Sequence, residues 1–171
     1  KAMGKKERIL IYGDYDVDGV SSTALLITVF TKLGFNIDYY LPDRHSEGYG
    51  LHIESLQKLI PKYDLLITVD CGITALDEVD YAKDKIDMII TDHHLPREIL
   101  PDAFAIINPT QTQCNYPNKN LCGVGVAFKL CQGLYQSLNK DIHELENYLD
   151  IVALGTIADI VPLVDDNRRI V

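Results

Sequence analysis

Short apolar runs alternate along the chain with stretches in which apolar residues recur every three or four positions. This is how parallel strands joined by crossover helices read in sequence. The pattern predicts strands over Arg8–Tyr12, Asn36–Leu41, Leu65–Val69, Asp87–Thr91 and Phe104–Ile107. Helices are predicted over Gly19–Leu33, from about Leu51 to Ile60, and over Thr74–Lys85, Val124–Leu138 and Ile142–Leu154. A Gly-rich loop runs through Tyr49, and a polar loop dense in Pro, Asn, Thr and Gln covers Asn108–Asn120. Alternation of this kind predicts an α/β fold, a parallel sheet flanked by helices. Leu25, Leu26, Val126, Ala127 and Leu130 fall on core-facing helical positions. No internal repeat or low-complexity tract interrupts the pattern.

Composition narrows the class. With 171 residues, 47% hydrophobic and 24% charged, the chain is in the range of one compact domain with a substantial core. No run approaches the ~20 apolar residues of a membrane span, and Lys1 to Arg8 leads into a short strand, not a signal-peptide apolar region. A soluble, cytoplasmic protein is the expectation. Cys71, Cys114, Cys122 and Cys131 form no CxxC pair and read as buried or half-buried thiols, not zinc ligands or disulfides. The net charge of -9 opposes nucleic-acid binding, which basic surfaces usually drive. Two divalent ions held by carboxylates would offset four of those charges. The chain ends at Arg168-Arg169-Ile170-Val171 in what reads as the start of a further element, so the native protein is expected to continue.

The acidic residues gather just beyond the strands, where open parallel sheets bind their ligands. The first strand runs into Gly13-Asp14-Tyr15-Asp16-Val17-Asp18-Gly19, the third into Asp70-Cys71-Gly72, and the fourth into Asp92-His93-His94. Asp159 stands in the apolar segment Ala153-Leu154-Gly155-Thr156-Ile157-Ala158-Asp159-Ile160-Val161-Pro162-Leu163. Singly, an Asp at a strand end is commonly a helix cap or a turn former. Together, buried like-charged carboxylates repel each other and lose hydration unless a cation compensates them. Oxygen ligands with one imidazole suit Mn2+ or Mg2+ better than zinc.

Two other motifs compete at the first cluster. Asp14-x-Asp16-x-Asp18-Gly19 opens like an EF-hand loop, but its twelfth position is Leu25 instead of Glu, and a strand precedes it. Asp16-Val17-Asp18-Gly19-Val20 after a strand is also similar to a haloacid-dehalogenase-type phosphatase. That reading would require Ser or Thr where the second strand ends in Leu41-Pro42, and it leaves the histidine pair without a role.

At Asp16-x-Asp18-Gly19, Asp70, Asp92-His93-His94 and Asp159 the sequence resembles the DHH phosphoesterase superfamily, and within it the RecJ family of single-strand-specific DNA exonucleases. Glu47-Gly48-Tyr49-Gly50-Leu51, Asn108-Pro109, Leu121-Cys122-Gly123-Val124-Gly125-Val126-Ala127 and Gly155 to Leu163 extend the resemblance over nearly the whole chain. It implies a five-stranded parallel α/β domain, with residues 1–171 as the DHH catalytic domain and a C-terminal DHH-associated domain lying outside them. It further implies a Mn2+- or Mg2+-dependent two-metal phosphodiesterase that degrades single-stranded DNA from the 5′ end in repair and recombination. Asp16 would hold one metal and Asp18 the other, Asp70 would bridge them, and His93 and Asp159 would complete the ligand shell of the second metal. His94, with Asp70, would serve catalysis at the scissile phosphate. Many superfamily members carry a metal-binding His four residues before the first motif Asp; here Tyr12 stands there, and Asp14 is the candidate substitute.

Arg44 is the candidate 5′-phosphate contact, against a surface ion pair with Asp43 or Glu47. Tyr49, between two glycines, is the candidate stacking platform for a base or ribose, against a packed loop aromatic. The substrate is expected to be single-stranded DNA, with helicase and single-strand-binding protein as partners by resemblance only. Two alternatives stay open: a DHH phosphodiesterase acting on short RNA, cyclic dinucleotides or pyrophosphate, and a non-catalytic replication scaffold on the same fold.

Overall fold

The computed structural model describes residues 2–171; Lys1, at the head of the stretch expected to lead into the first strand, lies outside the described residues. After a short helix α1 (Ala2–Lys5), the chain forms β1 (Arg8–Tyr12), α2 (Val17–Lys32), β2 (Asn36–Tyr40), α3 (Ile53–Leu59), β3 (Leu65–Val69), α4 (Leu76–Ala82), β4 (Asp87–Thr91), β5 (Ala105–Ile107), α5 (Gly123–Ser137), α6 (Leu149–Ala158) and α7 (Asp165–Ile170). The five strands make one sheet in the order β2-β1-β3-β4-β5, and every pairing is parallel.

Strand alternation divides the core. Ile9, Ile11, Ile67 and Val69 point to the face covered by α2 and α5, where Leu25, Leu26, Val124, Ala127 and Cys131 are buried with them; Val126 is buried too, but outside this cluster. Leu10, Tyr12, Leu66, Met88 and Ile90 point to the opposite face, under α3 and α4. Both sheet faces are thus covered, as a wholly parallel sheet requires. In this strand order the chain reverses direction across the sheet between β1 and β3, which opens a crevice at their carboxyl ends.

The predicted strands β1, β3 and β4 match the observed bounds; β2 stops before Leu41, and Phe104 lies exposed outside β5. The helix expected over Thr74–Lys85 is shorter, because residues 72–75 form a turn that begins at Gly72 with φ 109°. The helix expected over Ile142–Leu154 is two elements: a 3-10 helix over Ile142–Tyr148, then α6. Ile142, Leu145 and Tyr148 are spaced by three, so a 3-10 turn stacks all of them on one face toward the core. No helix among the described residues is long and apolar enough to cross a membrane.

Leu25 lies at the centre of the α2 seam with its side chain wholly buried. Leu25→Ala should destabilise the protein by roughly 2–5 kcal/mol in urea unfolding; a loss under about 1 kcal/mol would mean the seam repacks freely.

Candidate metal centre

Beyond β1 the chain turns through a buried Asp14 into α2, whose N-cap is Asp16: its Oδ1 accepts from Gly19 N at 2.8 Å. A Cβ on Gly19 would lie 2.6 Å from the Asp14 carbonyl oxygen, so only glycine lets the first turn of α2 rest on the Asp14 backbone. Within the same first turn of α2, Asp18 points at the start of α5. Its Oδ2 accepts from Gly123 N at 2.5 Å and its Oδ1 from Val124 N at 2.8 Å. The positive end of a fifteen-residue helix thus faces this carboxylate.

At the end of β3 the backbone of Asp70 enters the left-handed region, φ 61°, which Asp tolerates better than most residues. The turn leaves Asp70 buried against Gly123, where a Cβ would lie 2.7 Å from both Asp70 Cβ and Oδ1. Beyond β4, Asp92 spends both oxygens on the protein. Oδ2 accepts from Ile73 N at 2.9 Å, and Oδ1 faces His93 N at 2.7 Å, His94 N at 3.1 Å and His94 Nδ1 at 2.8 Å. Asp159 ends α6 as its C-cap, followed by Ile160 at φ 58°, a costly conformation for a β-branched residue.

These elements bring the acids and one imidazole to one point. Asp14, Asp16 and Asp70 offer oxygens within 4.8 Å of one another, and Asp18, His93 and Asp159 do the same. His93 Nε2 lies 3.1 Å from Asp70 Oδ1, 3.6 Å from Asp159 Oδ2 and 3.9 Å from Asp18 Oδ2, so the two groups adjoin through Asp70. Both oxygens of Asp14, Asp70 Oδ1, His93 Nε2 and Asp159 Oδ2 are buried without a hydrogen-bond partner. Native structures rarely leave such atoms unsatisfied.

The electrostatics agree. Burial, then the charges of Asp18 and Asp16, pushes the Asp70 carboxyl up to about 10. Burial likewise raises Asp14, Asp18 and Asp159. Asp92 differs: burial is the largest single influence and raises it, but hydrogen bonds from His94 and Ile73 outweigh that and hold it below the usual range. The carboxylates with partnerless oxygens, Asp14, Asp70 and Asp159, all carry an unfavourable charge, and so does Asp18 in spite of its two amides, which is the condition a divalent cation relieves. An all-oxygen group beside a group with one imidazole fits hard ions such as Mn2+ or Mg2+.

The sequence profile of the DHH family, N-terminal domain, matches residues 8–156. The chain belongs to the DHH family. It is 47% identical over 172 residues to the single-stranded-DNA-specific exonuclease RecJ of Bacillus subtilis, an alignment covering 99% of this chain and 21% of that protein. The RecJ of Haemophilus influenzae is 46% identical over 180 residues, 99% of this chain and 31% of its own. A crystal structure of exonuclease RecJ bound to manganese superposes with a TM-score of 0.91 at 36% identity, covering 99% of this chain and 43% of that one. This DHH domain therefore spans well under half of the relatives it matches.

Seven of the nine site residues picked out in the sequence, Asp14, Asp16, Asp18, Asp70, His93, His94 and Asp159, meet in this DHH crevice. Tyr12, at the position where superfamily members carry a His, does not face the two ligand groups. It lies on the opposite face of β1, wholly buried, and its hydroxyl donates to Gly50 O at 3.2 Å. Asp14 has both oxygens in the crevice instead. Tyr49 is partly committed: its hydroxyl donates to Asp70 O at 3.0 Å and lies 3.3 Å from both ring nitrogens of His94, while about half of the residue stays exposed. Arg44 makes neither expected ion pair. Asp43 caps the turn through His45 and Ser46, Glu47 accepts from Tyr40 and Ser55, and the Arg44 guanidinium lies 5.6 Å from the centre of the Tyr15 ring. Sequence reading missed Asp92 as the anchor of both histidines, and the Gly123 and Val124 amides on Asp18. The Gly-x-Gly at the start of α5 was the available signal for the latter.

Two outcomes follow from the charges of this DHH centre. Between about pH 5 and pH 8 the metal-free folded protein keeps a proton on Asp70 that the unfolded chain, ionising near 4, has released, so stability falls as pH rises. His94, raised first by its bond to Asp92, adds to the slope with the same sign. Melting in chelator should give a lower Tm at pH 8 than at pH 5, and Asp70→Asn should flatten the profile and raise the Tm at pH 8. A metal-free protein most stable at pH 8 would contradict this. In Asp92→Asn, the imidazole of His94 should titrate closer to its ordinary 6.5 than in the parent, as followed by NMR; an unchanged titration would remove Asp92 as its anchor.

Proposed function

We propose that residues 1–171 form the DHH catalytic domain of a metal-dependent, single-stranded-DNA-specific 5′-3′ exonuclease. What carries the reading is the pair of adjoining ligand groups, joined at Asp70 and rich in buried atoms that have no partner in the protein. Asp14, Asp16 and Asp70 would hold one Mn2+ or Mg2+, and Asp18, His93 and Asp159 the other. Once bound, the ions supply Lewis acidity and the positive charge that phosphodiester hydrolysis needs.

The rest of the chemistry rests on this chain's own side chains. His94 has Nδ1 on Asp92, so its Nε2, 3.3 Å from the Tyr49 hydroxyl, is the nitrogen that would turn to substrate. Its bond to Asp92 raises its proton affinity, which favours the positive, hydrogen-bonding form suited to the developing charge on a phosphate oxygen. Tyr49 fixes the left-handed turn of Asp70 through its carbonyl and holds the His94 ring from the other side. Arg44, free of carboxylates and positioned over Tyr15, suits a terminal 5′-phosphate. Helicase and single-strand-binding partners, a cytoplasmic location and a role in repair and recombination accompany this reading by resemblance to RecJ.

Manganese titrated calorimetrically into the protein should bind saturably, and Asp70→Ala should lose that heat while keeping the far-UV spectrum of the fold. Manganese-dependent nucleotide release from labelled single-stranded DNA should fall more than about a hundredfold in the same variant, beyond the cost of losing a mere supporting partner. Undiminished binding in Asp70→Ala would reject the two-metal assignment.

A further inference from the structure

Beside the metal centre, and sharing Tyr49 with it, lies a cavity of about 320 Å³ whose lining includes Gly72, Thr74, Asp77, Glu78 and Arg97. That volume is at the lower end of small-ligand pockets, roughly 300–1,000 Å³. Gly50 and Gly72, with φ 87° and 109°, leave two stretches of its wall without side chains. Gly72 is two residues past Asp70 and Arg97 three past His94, so the cavity begins where the metal centre ends. Arg97 is exposed and pairs with no carboxylate among the described residues, although Asp77 and Glu78 line the same cavity and the chain carries a net charge of -9. An unpaired guanidinium, an aromatic wall and two carboxylates together match the three parts of a nucleotide.

We propose that this cavity is a nucleotide subsite for the residue adjoining the cleaved bond. Arg97 takes the neighbouring phosphate through its planar fork. Tyr49, whose hydroxyl is held on Asp70, offers its exposed ring to the base or ribose. Asp77 and Glu78 accept from exocyclic amino groups, as carboxylates do from the cytosine N4 amino group. The subsite rests on the nucleic-acid reading above and extends it from the cut bond to the nucleotide beside it.

The test is fluorescence anisotropy with 3′-labelled, 5′-phosphorylated, phosphorothioate-linked oligo-dC and oligo-dT, in Mn2+ and at several salt concentrations. Arg97→Ala should bind about tenfold more weakly, as loss of a charged hydrogen bond implies. Its log-affinity against log-salt slope should drop by about 0.7, one phosphate's share, and Arg97→Lys should recover the slope. Thr74→Phe, at an exposed lining position, should weaken binding by filling the cavity without disturbing the core. The parent should prefer dC over dT, and the double change Asp77→Ala, Glu78→Ala should erase the preference. Parent-like affinity and slope in Arg97→Ala, with manganese heat intact, would overturn the subsite and leave the metal centre standing. Equal binding of dC and dT by the parent would overturn the base contact. A parent that binds manganese but neither oligonucleotide would overturn the nucleic-acid reading itself.

Discussion

Five carboxylates brought within a few ångströms of one another, most of them buried, are the constraint around which this fold is arranged. Each would be more stable alone in water. The parallel sheet brings them together, because β1, β3 and β4 all end on the same side, at the β1–β3 reversal where such sheets bind their ligands. The protein relieves only part of the repulsion. It gives Asp18 two amides at the start of α5 and Asp16 one within α2; Asp14 has only weak contacts from the Tyr15 and Gly50 amides, and one oxygen each of Asp70 and Asp159 has no hydrogen-bond partner. The distribution is uneven: Asp16 and Asp18, both in the ligand groups, are also held by backbone amides, while Asp70 and Asp159 each keep a buried oxygen without a hydrogen-bond partner.

The sheet and the acids were legible in the sequence because both follow short-range rules. Apolar runs of strand length gave β1, β3 and β4 to the residue, and an Asp directly after such a run falls in the crevice of a parallel sheet whatever the rest of the chain does. What escaped depends on contacts distant in sequence or on geometry finer than periodicity. The break between the 3-10 helix and α6 turns on a spacing of three against a spacing of three to four, which an apolar pattern does not resolve. Which face of β1 carries Tyr12 is fixed by alternation, since Leu10 and Tyr12 share a face, and that face packs into the core under α3 and α4. Asp92 looked like one more acid of the cluster, and only its hydrogen bonds separate an anchor from a ligand.

Backbone strain lies at the same places as the charge. Asp70 and Ile160 adopt left-handed conformations on either side of the centre, one a candidate ligand and the other directly after one. Tyr49 ties the first of these down through the Asp70 carbonyl, and Tyr12 in turn supports Gly50 from inside the core. The buried tyrosine that replaces a histidine therefore still bears on the site, through the loop that carries Tyr49. A network of Tyr40, Glu47 and Ser55 closes that loop from its other end. The loop is held by hydrogen bonds at both ends, while the exposed ring between them remains available to a ligand.

The acidity of the chain, which at first argues against nucleic acid, takes another meaning from this arrangement. The carboxylates of the crevice are part of the net -9, but burial raises the proton affinity of Asp14, Asp18, Asp70 and Asp159, which disfavours presenting that charge bare. What an approaching phosphate meets at the site is His94, with its raised proton affinity, and the two guanidinium groups of Arg44 and Arg97, neither of them paired to a carboxylate. Screening reduces distant surface charge within about 10 Å at ordinary salt, whereas these groups act at contact. Local sign, not net charge, decides whether a polyanion can be held here, and the local sign becomes favourable when the cations that the orphaned oxygens call for are in place.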